Sequence, residues 1–339
     1  MAVIARIYKI DKTDLVCYSL DGKEHFFPVF LLGQFTKGEQ RAVVGDKVEL
    51  ISLGEGKGHQ VKKILPRENI LYRYIVRERE KKIFAANVDL LILVASLERP
   101  LLKQGLLDRY LLRACLWQIP VVIVYTKYDL FEKERGQKER EERRIEEKNI
   151  EKMPDIAFLK RRFSPLCVDQ FVLSSESSWA KTTSREEFLR LKALLSTKVG
   201  IVLGQSGVGK STLITALSGE KIQVKSQKLG KVGKGVHTTS VSEIFTLEDW
   251  FLIDSPGIRS FSLEDLSLAD LPHGFPDLAP FFLKCQFPNC SHDIKSKGCF
   301  LKEGGWNPTA EQKSRFLSYL QIREEISLAS CWETKNKYV

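Results

Sequence analysis

The sequence has no apolar run that approaches the length of a bilayer span, so the chain is not expected to cross a membrane. It lacks a secretory-type start: "MAVIARIYKIDKTD" carries charges at short intervals, where a leader would hold an unbroken apolar core. A cytoplasmic location is expected. No internal repeat and no low-complexity linker interrupts the chain. One local absence is sharper. Between Lys221 and Ser242 there are five lysines and not one acidic residue. In a chain of net charge +10, that stretch is a better candidate than the chain average for meeting a phosphate or an RNA.

What is present is ordinary for a globular protein: 43% hydrophobic and 28% charged over 339 residues, enough for two or three domains. Residues 1–70 read as short strands ("ARIYKI", "LVCYSL", "HFFPVFLL", "DKVELI") broken by turn residues such as Asp21-Gly22, which suits a small barrel or sandwich. From about residue 84 the pattern changes. "VDLLILVASL" and "PVVIVYTKYDL" are continuous apolar runs, as for strands buried on both faces, and "LLDRYLLRACLWQ" between them has helical spacing. Strand–helix–strand alternation predicts an α/β domain with a mainly parallel sheet. "FEKERGQKEREERRIEEKNIEK" (131–152) is nearly all charge of mixed sign and predicts a solvated helix inserted near 131–165. The α/β pattern then resumes with "FVLSSES", a helix near 184–196, and "KVGIVLGQSGVGKSTLITALSG".

That last stretch satisfies G-x-x-x-x-G-K-[ST] in its proper setting, an apolar strand before it and a helix after it. Gly204, Gln205, Ser206, Gly207, Val208 and Gly209 would turn their backbone N–H groups onto phosphate oxygens, with the helix N-terminus behind them. Lys210 would reach the β- and γ-phosphates as a catalytic cation, Ser211 would hold Mg²⁺, and Thr212 completes the cradle. Asp254 follows the strand "DWFLI" and would join the Mg²⁺ shell. Gly257, three residues on, fits the D-x-x-G of a switch that senses the γ-phosphate.

The base is read elsewhere. In Thr126-Lys127-Tyr128-Asp129, the Asp129 carboxylate matches the N1–H and amine of guanine, a pair adenine lacks, and the Lys127 stem would lie over the ring. Ser174 and Ser175 follow another apolar strand and would offer an N–H to the guanine carbonyl. Thr126 stands where Asn is usual. With a shorter reach and fewer hydrogen bonds, it predicts weaker nucleotide binding with selectivity intact. The base-reading turns thus precede the phosphate loop, a circular permutation of the usual GTPase order.

Three cysteines and a histidine, Cys285, Cys290, His292 and Cys299, make a tetrahedral set with no open position, hence one structural zinc ion. The remaining cysteines are scattered.

This order of motifs, with "GQSGVGKS", "GKGVHTTS", "DSPGIRSF" and C-x4-C-x-H-x6-C, resembles the family of ribosome small-subunit-dependent GTPase A (RsgA, also called YjeQ). "VVGDKVEL", "ILPRENILYR" and "AANVDLLILVAS" share its pattern. The resemblance implies an N-terminal all-β OB-fold barrel (1–70) on ribosomal RNA, a central α/β P-loop GTPase domain (71–275), and a C-terminal, mostly helical zinc-binding domain (276–339). It implies GTP and GDP as ligands, Mg²⁺ and Zn²⁺ as cofactors, and a monomer acting on the small ribosomal subunit and its 16S rRNA. Six residues separate His292 from Cys299, where that family usually has five.

In "GKGVHTTS" both Thr238 and Thr239 qualify to complete the Mg²⁺ shell. Ile258 replaces the glutamine that would orient the attacking water, which predicts slow intrinsic hydrolysis and leaves His237 as the candidate that positions water. An RNA-binding nucleotide sensor with little turnover is the alternative. The short run from Gly257 to Cys285 would let a switch movement act on the zinc domain.

Overall fold

A computed structural model of the chain describes residues 2–11, 14–36, 38, 41–75, 78, 80–142, 155–174, 185–218, 243–247, 250–254, 263, 265–293, 296–302 and 304–335. The first five strands are β1 (Ala2–Asp11), β2 (Asp14–Ser19), β3 (His25–Phe30), β4 (Lys47–Ser52) and β5 (His59–Ile64). They pair in the order β1-β2-β3-β5-β4, and β4 returns to β1 to close a five-stranded barrel. All contacts are antiparallel except β3 with β5. Alternation does the sorting. Ala5, Ile7, Leu15, Cys17, Val29, Val48, Leu50 and Val61 fill the interior while their neighbours face outward. Closure leaves no barrel edge to template another chain.

A hairpin, β6 (Ile70–Ile75) with β7 (Glu80–Ala86), leads to the α/β layer. Here β8 (Leu90–Ser96), β9 (Val121–Thr126), β10 (Asp169–Val172), β11 (Val199–Leu203) and β13 (Trp250–Asp254) are mutually parallel, and β12 (Glu243–Leu247) runs antiparallel at the β13 edge. The continuous apolar runs have their expected cause. Every residue of β8 and β9 is buried, because one apolar cluster covers each face of the sheet. The helices are α1 (Gln104–Leu116), α2 (Tyr128–Glu142), α3 (Ile156–Phe163), α4 (Arg185–Leu195), α5 (Lys210–Leu217), α6 (Ala279–Phe282) and α7 (Ala310–Lys335). The first half of the charged insertion is helical, as expected; residues 143–154 lie outside the described part.

The barrel and the α/β sheet join at Lys9 and Glu243, so eleven strands form one sheet. Tyr8 bridges the two, edge-on to Phe251 (5.9 Å) and against Tyr18 (4.5 Å). The stretches "VVGDKVEL", "ILPRENILYR" and "AANVDLLILVAS" interlock at this junction. Arg67 forks onto the fully buried Asp46 carboxylate (2.7 and 2.8 Å), and Asp46 accepts the Val43 N–H. Asn87 donates to the Gly45 carbonyl and accepts the Glu68 N–H, and Asn69 exchanges two bonds with Val88. Gly45 has φ +91° and lies so close to β7 that a Cβ would sit 2.0 Å from the Ala86 carbonyl oxygen. Glycine is required there twice over.

The C-terminal part has its own apolar cluster, from Leu263 and Leu271 through Phe275 and Leu278 to Phe316, Ile322 and Ile326. Leu112 of α1 belongs to it.

Candidate functional site

The strand order β10-β9-β8-β11-β13 reverses direction between β8 and β11. In open parallel sheets, ligands bind beyond the carboxyl ends at such a switch point. The predicted site residues collect there. The phosphate loop follows β11, the Thr126–Asp129 turn follows β9, Ser174 follows β10, and Asp254 ends β13.

The phosphate loop is shaped by three glycines in the left-handed or open region: Gly204 at φ +149°, Gly207 at +80° and Gly209 at +96°. Gly204 is the tightest. A Cβ there would lie 2.2 Å from the carbonyl oxygen of Val94 on the neighbouring β8. Val208 is buried and anchors the loop from below. Gly209 is the N-cap of α5, so Lys210, Ser211 and Thr212 form the first turn of the helix, beside the loop. The Lys210 ammonium donates to the carbonyls of Gly204 (2.7 Å) and Gln205 (2.5 Å).

The base-reading turn is tied to this loop by two side chains. Buried Thr126 donates its hydroxyl to the Val208 carbonyl at 2.6 Å. The reach that the sequence put in doubt is therefore sufficient for bracing the phosphate loop. Lys127, at φ +60°, sends its ammonium to the Gly207 carbonyl (2.8 Å) and to the carbonyl of Arg99 in the loop after β8. That loop was not expected to take part. Asp129 stands in the first turn of α2, where the helix dipole favours a carboxylate. The Tyr128 N–H is accepted by the Leu173 carbonyl at 3.2 Å, which holds the two base-side turns together and places Ser174 next in line. Ser175, His237, Thr238, Thr239 and Gly257 lie outside the described residues.

About thirty residues further on, the four predicted metal ligands converge. The ligand atoms of Cys285, Cys290, His292 and Cys299 all lie within 4.8 Å of one another. The His292 Nδ1 is 3.5 Å from the Cys285 sulfur and 3.7 Å from that of Cys299. Tetrahedral centres with thiolate and imidazole ligands have edges of roughly 3.5–3.8 Å, so the donor set fits a metal ion. At the two ends of the segment between His292 and Cys299 the backbone is left-handed: His292 adopts φ +55° and Gly298 φ +68°. Burial lowers the His292 imidazole to about 4, helped by Arg323, which keeps it neutral and ligand-competent. Burial, with the neighbouring cysteines, pushes Cys299 up to about 12 and raises Cys285 as well. Cys285 and Cys299 in such surroundings become thiolates only with a cation beside them. Phe282 stacks on the His292 ring at 4.4 Å and fixes its plane.

Two ionic clamps were not foreseen. The fully buried Asp108 of α1 accepts a fork from Arg162 of α3 (3.0 and 2.6 Å) and a further bond from Arg315 of α7. Arg315 also grips Asp277 (3.2 and 3.0 Å) and the Gly274 carbonyl (2.9 Å). Five residues further along α1, Arg113 forks onto Asp265 at 2.8 and 2.6 Å, both side chains buried.

The comparisons agree with this architecture. The RsgA GTPase family model matches residues 64–157 and 172–264. A "Small ribosomal subunit biogenesis GTPase RsgA" of Chlorobaculum parvum is 31% identical over 300 residues, 86% of this chain and 87% of that protein. The protein of the same name from Bacteroides fragilis (strain YCH46) is 30% identical over 289 residues, 83% of each. Among solved structures, YjeQ from Thermotoga maritima superposes with a TM-score of 0.68 at 22% identity, covering 96% of this chain and 99% of that one. YloQ, described as a circularly permuted GTPase, superposes at 0.66 with 21% identity and 96% of each chain covered. These two share the fold.

Proposed function

The chain belongs to the RsgA GTPase family, and from that premise we propose that it hydrolyses GTP in late maturation of the small ribosomal subunit. It binds the subunit in its GTP state and leaves after hydrolysis. The observation that carries the reading is the tether between the two halves of the nucleotide site: Thr126 and Lys127, from the base-reading turn, both end on carbonyls of the phosphate loop.

In this reading the N–H groups of residues 204–212 receive the phosphates, Asp129 selects guanine, and Ser174 and Ser175 complete the base pocket. Lys210 leaves its two carbonyl partners for phosphate oxygens and stabilises the charge that builds up in the transition state. Ser211, Asp254 and a threonine, Thr238 or Thr239, hold Mg²⁺, which neutralises the phosphate oxygens when bound. Gly257 senses the γ-phosphate. His237 positions water, a role Ile258 cannot take.

The closed barrel contacts 16S rRNA, in keeping with the use of such barrels for nucleic acids. The Cys3His cluster holds one zinc ion, structural because no ligand position is left open. No helix among the described residues is long and apolar enough to cross a membrane. In this reading the protein works as a cytoplasmic monomer.

Steady-state GTP turnover with and without small subunits tests this. Stimulation by the subunit is expected, and its loss in His237→Ala with GTP affinity retained. Turnover that ignores the subunit would leave a nucleotide sensor instead.

A further inference from the structure

The outer surface of the barrel carries an aromatic ladder that core packing does not explain. Tyr18 of β2 and His25 of β3 are cross-strand partners, and their rings stack at 4.7 Å with 29° between the planes. Phe27, two residues along the same face, continues the stack: its ring centre is 6.1 Å from that of His25 and the planes are 8° from parallel. The inward positions of β3 are already filled by Phe26 (4% exposed) and Val29 (0%). Phe27 is 58% exposed and adds little to that core. The root of the ladder is braced. Tyr18 rests on Tyr8, Tyr8 meets Phe251 of β13, and a Cβ on Gly22 in the β2–β3 turn would lie 2.7 Å from the Phe251 ring. A ring held in this way presents its face with little ordering cost.

Positive charge lies at the far end of the same strand. β3 runs parallel to β5, with Val29 opposite His59 and Phe30 opposite Gln60. Lys62 and Lys63 therefore continue β5 past the end of β3, and with Gln34, Ile64 and Leu65 they line an open cleft of about 460 Å³. Lys62 is paired with Glu49 at 2.8 Å, and Arg67 at the cleft's edge with Asp46. Among the described residues, exposed Lys63 has no ion-pair partner. A protein partner would be drawn by apolar area of any shape. Parallel rings that lead to an unneutralised lysine instead match a chain that alternates flat bases with phosphates. A base inside a duplex has both faces covered, so only an unpaired base can extend the ladder.

We propose that the β2–β3 face of the barrel binds an unpaired RNA strand, with one base stacked on Phe27 and the backbone led into the cleft at Lys63. Barrels of this kind take oligonucleotides on the face of their second and third strands. The six residues of β3 span about 20 Å, room for the few nucleotides that one such barrel covers. The proposal rests on the reading of the barrel as an RNA contact, and adds that the contact is made by stacking on a single strand.

Fluorescence anisotropy of the full chain with a labelled RNA of about 12 nucleotides, single-stranded and then hybridised to its complement at the same salt, tests this. The single strand should bind the parent more tightly than the duplex. Phe27→Leu keeps the apolar area and removes the flat face; it should weaken the single strand about five- to a hundredfold and leave the duplex within about twofold. Phe27→Trp restores a flat face and should restore binding, with its added indole emission quenched as RNA binds. Lys63→Gln should lower the slope of log affinity against log salt by about 0.7 for the single strand. Unchanged melting temperatures show that each variant is folded, and three variants at two positions guard against one that is not. A Phe27→Leu protein that binds the single strand as the parent does overturns the inference and makes the ladder an apolar surface for a protein. A parent that prefers the duplex overturns it as well. Parent protein that binds neither RNA would instead remove the RNA reading of the barrel itself.

Discussion

Thr126 and Val208 stand 82 residues apart in the chain, yet the hydroxyl of one donates to the carbonyl of the other at 2.6 Å. The base-reading turn and the phosphate loop are thereby one unit. Thr126→Val keeps the shape and deletes the donor, leaving a buried carbonyl unpaired. That costs about 1–3 kcal/mol. Binding of GTP and GDP should weaken together, about fivefold or more, with kcat at saturation near the parent value. Thr126→Asn should tighten GTP, but only by what a base contact adds, since the brace already exists. Isothermal titration with both nucleotides measures each variant. A Thr126→Val protein of unchanged affinity would show that the brace is idle.

The Asp108 clamp sets the pH behaviour of the C-terminal docking. Burial by itself would raise this carboxyl, but Arg315 and Arg162 outweigh it and hold the value below the usual range. A depressed carboxyl contributes stability above its unfolded value and loses it as pH falls through the folded one. The docking of α7 should therefore be insensitive to pH between about 5 and 8 and should release only in acid below about 4. Amide exchange along 310–335 as a function of pH reads this directly. Asp108→Asn should cost roughly 3–5 kcal/mol, because it leaves two buried guanidiniums short of a partner.

The metal cluster makes a separable prediction. Cys290→Ser and His292→Ala should each lose about one equivalent of zinc, measured by elemental analysis, and should loosen the cluster built on Phe275, Phe316 and Ile322. GTP affinity should stay near the parent value, because no ligand of the cluster touches the phosphate loop. Protein that carries substoichiometric zinc as purified and melts at the same temperature after chelation would contradict a structural metal.

Motifs whose chemistry dictates contiguous residues were legible in the sequence. The Thr126–Asp129 turn, the phosphate loop, the D-x-x-G strand end and the Cys/His spacing each declare themselves within a short window, and the turn's place ahead of the phosphate loop gave the permutation. The clamps could not be read that way. Arg113 sits in "LLDRYLLRACLWQ", where helical spacing treats it as a solvated cation, yet it is 2% exposed. Its partner is 152 residues away, and Arg315 is 207 residues from Asp108. Nothing local marks such pairs. The strand β5, "HQVKKI", was also hidden, because only Val61 in it is fully buried and the lysines break the apolar pattern. The pairing of Lys9 with Glu243, which merges barrel and α/β sheet, is a contact between edges that alternation cannot register.

Base selectivity is assigned here to one carboxylate, and that is the sharpest point at which the nucleotide site can be challenged. Asp129 begins α2 beside the turn that Tyr128 ties to Leu173, so its backbone has little freedom to adjust to a different side chain. A carboxylate accepts two hydrogen bonds from guanine, at N1 and at the exocyclic amine. Asparagine offers one acceptor and turns a donor toward that amine, so one guanine donor loses its partner and meets another donor. Xanthine carries an oxygen where guanine has the amine, and the same asparagine matches it. Asp129→Asn should therefore lose GTP affinity by about two to four orders of magnitude, the range seen when a buried polar match becomes a mismatch. It should bind xanthosine triphosphate better than GTP, with turnover of the new nucleotide near the parent rate because the phosphate loop is untouched. Competition of the two triphosphates against a labelled diphosphate measures the switch. A variant that still prefers guanine would move the base-reading role away from Asp129 and leave the turn after β9 as a brace for the phosphate loop alone.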